Sequence, residues 1–217
     1  MHRTRYQAYH STHLTDQPAR ATVWRVIADF LQPYIPANAH VLEIGAGYCY
    51  WINNVRAALK VAIDLWERMP EFAAPDVQTI LHDLSEGLSC LDKQQFDVVL
   101  ASNVLEHLEL DDSLRLVGEV YDHLHASGRF IIIQPNYYYA YRRYFDDYTH
   151  RSIFSHVSLS SMLCAQGFRI EKVMPRFMPY SMRGMPIAIP AWLVRLYLKL
   201  PFKLFAGQML VVAQKPQ

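Results

Sequence analysis

Apolar residues between Trp24 and Leu31 recur at helical spacing, and Pro18 ahead of them suits a first helical turn. The pattern predicts a helix over 18–31 that Pro33 and Pro36 end. Beyond it the pattern shortens. Nearly continuous apolar runs at 39–44, 60–64, 77–81, 96–101 and 129–134 read as strands buried on both faces, Phe130-Ile131-Ile132-Ile133 most plainly. Between them, helical spacing predicts helices over 48–56, 66–72 and 112–125, with a weaker element between 84 and 91. Gly128 is read as the stop after the third of these helices. Residues 156–165 resume a helix that Gly167 ends; 168–173 then reads as a sixth strand, and 209–213 as a last strand pairing with it in antiparallel sense. Strand and helix in alternation mean right-handed crossovers, hence helices on both faces of the sheet. The expected fold is α/β: a three-layer sandwich around a mostly parallel seven-strand sheet, its last strand antiparallel, with an N-terminal helix and an insertion before that last strand.

Two stretches break the alternation. Residues 136–156 are crowded with tyrosine and charge, too long and too costly for a minimal linker, and are read as a cover over a pocket. Residues 175–206 separate the last two strands, where a hairpin would close at once. With 1–36 as a helical cap, the 217 residues form one domain: the length suits a single α/β unit and is short for two catalytic ones.

Composition narrows the classes. A 52% hydrophobic content supports a substantial core, and a net charge of +1 gives no footprint for nucleic acid. The cysteines, Cys49, Cys90 and Cys164, have neither metal nor redox spacing, and their odd number makes a poor disulfide framework. The polar first residues carry histidines where a secretory leader needs an apolar run, and no uninterrupted apolar segment reaches membrane-spanning length. A cytoplasmic protein is expected.

The chemistry begins where the first strand runs into glycine, at Val41-Leu42-Glu43-Ile44-Gly45-Ala46-Gly47. Glycine there permits a tight turn and close approach of a ligand. Asp64 ends the second strand and Asp83 follows the third. A carboxylate at Asp64 suits ribose hydroxyls, or caps the element after it; Asp83 suits an exocyclic amine, with the Leu84 amide facing a ring nitrogen. Together they make a site the size of adenosine. A nicotinamide dinucleotide is the rival, but its GxGxxG turn would need glycine where Tyr50 stands.

In the combination VLEIGAG, VAIDL, LHDL, FDVVLASNVLEHL, GRFIIIQPN, GFRIEKV and QMLVVAQ, the chain resembles the class I, seven-strand, Rossmann-like S-adenosylmethionine-dependent methyltransferases from about Ala39 to Ala213. The resemblance implies S-adenosyl-L-methionine as donor. It implies Glu43 organising the turn, Gly45 and Gly47 contacting the donor, Asp64 at the ribose, Asp83 and Leu84 at adenine, Ala46 and Leu65 among the donor contacts, and Asn103 beside the pocket. One departure stands out: a common third glycine of the family's turn is Cys49 here. The connector FDDYTHRSIFSHVSLSSML also resembles members acting on sugar or lipid-related acceptors.

For methyl transfer to a hydroxyl, alignment and proton removal are the protein's tasks. His150, near Asp146 and Asp147, is the preferred base or acceptor-orienting group and His107 the second, although a solvent-facing or helix-start role for His150 and a pocket-shaping role for the Glu106-His107 pair are the plainer readings. Tyr139, Tyr148, Arg143 and His150 are the candidate acceptor contacts, against a packed aromatic cap and a solvated arginine pair. No His-Glu-x-x-His or cysteine quartet is present, and Asp111-Asp112 and Asp146-Asp147 read as surface pairs, so no metal is expected. Residues 187–205 alternate tryptophan, tyrosine and leucine with Arg195, Lys199 and Lys203, compatible with core packing, a homodimer, or peripheral contact at the inner membrane surface. The expected function is O-methylation of a small hydroxylated, sugar-like or lipid-linked acceptor. The alternatives are N-methylation of a small metabolite and a non-catalytic donor-fold interaction protein.

Overall fold

The computed structural model describes residues 18–180 and 189–217. Seven strands form one sheet: β1 (His40–Ile44), β2 (Leu59–Asp64), β3 (Val77–Leu81), β4 (Phe96–Ser102), β5 (Leu124–Pro135), β6 (Arg169–Pro179) and β7 (Ala206–Gln214). Their order is β3-β2-β1-β4-β5-β7-β6. β1 to β5 are parallel, and β7 runs antiparallel to both β5 and β6. The expected architecture is therefore the observed one. Sheet order reverses between β1 and β4, and a crevice opens outside the carboxyl ends of strands at such a point.

Alternation along the strands divides the core into two layers. Val41, Leu100, Ile131, Ile133 and Val212 face α1 (Pro18–Leu31), through Val23, Ile27 and Leu31. Their neighbours Leu42, Val99, Ile132 and Val211 face the opposite side, where Leu116, Val117 and Val120 of α2 (Leu110–His123) and Leu159 and Leu163 of α3 (His156–Ala165) cover them. Side chains of period two on a strand can fill two such layers only if both faces are covered.

Several local expectations change. The helix read over 48–56 is a succession of turns, because Gly47 and Cys49 take left-handed φ of +50° and +55° and so interrupt regular winding. The helix read over 66–72 shrinks to one 3-10 turn, Met69–Phe72, with Pro70 lacking the N–H a longer helix needs. Residues 84–91 hold two 3-10 turns, Leu84–Glu86 and Ser89–Leu91, parted by Gly87 at φ +83°. Gly128 lies inside β5 and stops no helix: α2 ends at His123 because Leu124 already pairs with Phe96. β6 runs on to Pro179, paired there with Ala206, so the connection to β7 is 180–205 and not 175–206. That connection contains α4 (Ala191–Lys199), whose Val194 and Leu198 join the core layer of α1. The part of the cap at 1–17 and the start of the 187–205 stretch lie outside the described residues.

Candidate active site

The turn after β1 is fixed from two sides. Gly45 and Ala46 donate their N–H groups to the Ile63 carbonyl at 2.8 and 3.1 Å, tying the turn to β2. Asp64, at the end of β2, accepts from the Gly47 N–H at 2.7 Å and from the Trp66 N–H at 2.8 Å. Gly45 has φ +69°, and a Cβ placed on it would run into Val104. Both facts require glycine. Cys49, at the third-glycine position, keeps the left-handed backbone without being glycine, its side chain fully buried.

Glu43 is 4% exposed and accepts the Ile52 N–H at 3.0 Å, so it organises the turn from beneath. Burial holds its carboxyl up at about 8, the Ile52 bond offsetting part of that and Asp64 adding to it. Burial also pushes the Cys49 thiol well up, with Glu43 and Asp64 adding to it; a thiol so raised is a poor nucleophile.

One cavity of about 280 Å³, near the lower end of the usual range for small-molecule sites, opens at the carboxyl ends of the strands. Glu43, Gly45, Ala46, Gly47, Asp64, Leu65, Asp83, Leu84 and Asn103 all line it. Asp64, at the end of β2, and Asp83, two residues past β3, thus share a single space. Asp83 Oδ1 also accepts from the N–H and hydroxyl of Ser85, at 3.0 and 2.8 Å, and caps the turn that follows. Asn103, at φ +53°, accepts from Gln208 Nε2 at 3.1 Å, which ties the β4 loop to β7.

His107, His150 and Arg143 line the same cavity. The two imidazole rings stand 5.0 Å apart at 63°. Thr149 donates its hydroxyl to Asp147 at 2.6 Å, and its oxygen lies 2.9 Å from His107 Nδ1. With the Thr149 proton committed to Asp147, its oxygen accepts from His107, so Nδ1 bears the proton and Nε2 the lone pair. Glu106 beside them is fully buried, its carboxyl held up at about 8 by burial with Asp147 adding to it and a backbone bond opposing. Arg143 pairs with Asp146 at 3.4 Å, and its guanidinium lies 5.7 Å from the Tyr180 ring centre.

Tyr139 and Tyr148 are not among the residues lining the cavity. Tyr139 stacks on His156 with Arg176 over its ring, and Tyr148 is 65% exposed. Arg20 and Trp24 of α1, Tyr180 beyond β6, Thr149 and Gln208 line the cavity without having been singled out as site residues. A polar Gln208 just ahead of the apolar run 209–213 was the one available signal; the others arrive by long-range packing.

A methyltransferase domain family model matches residues 17–173. No curated protein matches the chain. Among solved structures, a SAM dependent methyltransferase from Archaeoglobus fulgidus superposes with TM-score 0.65 at 22% identity, over 88% of this chain and 94% of that one. The N-methyltransferase NodS of Bradyrhizobium japonicum, in complex with S-adenosyl-l-homocysteine, gives TM-score 0.63 at 13% identity over 95% and 92% of the two chains. The 1,6-didemethyltoxoflavin-N1-methyltransferase of Burkholderia thailandensis, with its substrate and S-adenosylhomocysteine bound, gives 0.63 at 20% over 99% and 87%. What these structures share with the chain is the fold.

Proposed function

The chain belongs to the methyltransferase domain family, and from that premise we propose that it methylates a hydroxyl of a small sugar-like or lipid-linked acceptor, with S-adenosylmethionine as donor. The observation that carries the reading is one cavity lined both by the glycine turn, Asp64 and Asp83 and by His107 and His150. The groups present fit the donor: two hydrogen-bond-accepting carboxylates, Asp64 at the end of β2 and Asp83 two residues past β3, share the cavity with a turn without side chains at 45 and 47. A carboxylate offers about four acceptor positions, so Asp64 can both fix the turn and hold ribose hydroxyls.

The glycine turn, Asp64 and Asp83 would hold S-adenosylmethionine, which would supply an electrophilic methyl group for the acceptor oxygen, with its sulfur as the leaving group. The chain's own work is to align that oxygen, exclude water and let the hydroxyl proton leave at the imidazole cluster. Arg143 and Tyr180 line the cavity, and Arg143 suits an anionic group on the acceptor. An amine acceptor is the second reading, favoured by the N-methyltransferases NodS and the toxoflavin enzyme among the similar structures. The paired imidazoles support the hydroxyl.

A membrane surface as the source of the acceptor is part of this proposal. From Lys172 to Gln217 the sequence holds seven lysines and arginines and no acid. On α4 and just after it, Trp192, Leu193, Leu196, Leu200, Phe202 and Phe205 are all exposed. Lys199 is exposed among them, whereas Arg195 pairs with Asp29 at 3.3 Å and Lys203 is buried. Such a face suits an anionic bilayer interface. α4 packs on α1, whose Arg20 and Trp24 line the cavity, so a lipid-borne acceptor would enter from that side.

Incubation with isotopically labelled donor and with fractionated soluble and membrane extracts tests the reading. A labelled hydroxylated product, one methyl heavier and drawn from the membrane fraction, is the expected result. Label only on amines would replace the hydroxyl reading by the second one.

A further inference from the structure

Glu106, His107 and His150 all line the cavity, and one ligand atom from each lies within 4.8 Å of the other two. Glu106 is fully buried, and neither carboxylate oxygen has a hydrogen-bond partner among the described residues. Nearly all buried polar atoms are matched, so this pair marks an unmet interaction at the site. A cation meets it.

The imidazoles agree. Through Thr149, Asp147 holds the proton of His107 on Nδ1 and turns Nε2 out as the lone-pair nitrogen. A ligating histidine is ordinarily oriented in this way, its other ring N–H held by an oxygen that is itself hydrogen-bonded. The ring of His150 stands beside it at 5.0 Å. Two imidazoles and one carboxylate are a donor set for zinc, cobalt, manganese or ferrous iron, and disfavour calcium or magnesium, which take all-oxygen shells. With bonds of about 2.0–2.1 Å to a tetrahedral zinc, ligand atoms stand about 3.3 Å apart, so small side-chain rotations close the set.

We propose that Glu106, His107 and His150 form a binding site for a divalent transition-metal ion, with a coordination position open toward the acceptor oxygen. Three protein ligands with one open position is the arrangement of a site that acts on a ligand, as distinct from a closed structural one. The inference rests on the methyl-transfer reading and deepens it. The acceptor is then one whose hydroxyl would coordinate the ion; coordination would lower its pKa so that its proton passes to solvent water, and the imidazoles would serve as ligands in place of the proton acceptor of the metal-free reading.

Cobalt is the probe, because its visible absorption reports imidazole and carboxylate coordination directly. The full chain, stripped with chelator, is titrated with Co2+, and S-adenosylhomocysteine affinity is measured on the same samples. The expected result is a band that saturates at one equivalent and is displaced by Zn2+. Loss of an orienting partner weakens metal affinity by about 10–100-fold, so Thr149→Val should fall in that range, and Glu106→Gln and His150→Ala beyond it. Replacing the N-terminal His10 and His13 by alanine should leave the titration unchanged, separating the site from adventitious histidine binding. A folded wild-type chain that binds S-adenosylhomocysteine but shows no saturable band overturns the proposal; so does unchanged cobalt affinity in both Glu106→Gln and His150→Ala. Cobalt binding as expected without S-adenosylhomocysteine binding would instead overturn the methyl-transfer reading and leave the ion site standing.

Discussion

Cys49 stands where the family's turn commonly has a third glycine, and it takes the same left-handed backbone, at φ +55°. A left-handed non-glycine residue costs of order 1–3 kcal/mol, and full burial of the side chain offsets it here. With its thiol pushed up by burial, Cys49 should resist alkylation near neutral pH while the exposed Cys164 reacts. Peptide mass mapping after brief treatment with iodoacetamide checks this; label on Cys49 in the folded chain would contradict it. Glu43 gives a pH signature. Its folded pKa of about 8 lies above the ordinary 4.5, so the folded state holds a proton that the unfolded state releases. The stability this contributes is present below about 4.5 and lost as pH rises through about 8, with a slope of at most about 1.4 kcal/mol per pH unit. Denaturation across that window should show stability falling in the wild type and a flatter profile in Glu43→Gln. Equal slopes would remove Glu43 from the account. At this scale Asp64, Asp83 and the glycines were legible because strand ends and turns are local. Thr149 as the link between Asp147 and His107 was not, since the two histidines stand 43 residues apart and only packing brings them together.

Strands were the elements best read from the sequence, because burial on both faces writes itself as unbroken apolar runs such as 130–133. The helices at 48–56 and 66–72 were misread because apolar spacing says nothing of a left-handed Cys49, and a proline at the second position of a turn was given too little weight. α4 follows from its pattern, yet the pattern could not tell the side that packs from the side left bare. Val194 and Leu198 go inward, while Trp192 is 65% exposed and Phe202 and Phe205 are 85% and 86%. Burying one such side chain contributes about 1.5–3 kcal/mol. Replacing Trp192, Phe202 and Phe205 together by glutamine should lower partition onto anionic vesicles more than tenfold without lowering the melting temperature. Sedimentation with anionic and neutral vesicles is the measurement. Partition unaltered by the three changes, or indifferent to vesicle charge, would contradict the membrane reading.

At the scale of the molecule, the order β3-β2-β1-β4-β5-β7-β6 puts the ends of β1, β2, β3 and β4 side by side, and this brings Glu43, Asp64, Asp83 and Asn103 into one cavity. Alternating strand and helix patterns were enough to expect that sheet. The closing wall was not legible: Arg20 and Trp24 come from α1, Tyr180 and Gln208 from the last strand pair, and each reaches the cavity only once the chain has folded back. Donor binding across Asp64 and Asp83 is the claim on which the rest depends. Calorimetric titration of S-adenosylhomocysteine into the full chain tests it most directly, in the wild type, Asp64→Ala and Asp83→Ala. Hydrogen bonds to a charged group contribute about 1.5–3 kcal/mol, so the account predicts one site per chain and a loss of roughly 10–100-fold in each variant. No saturable binding to the wild type, or affinities unchanged in both variants, would contradict it.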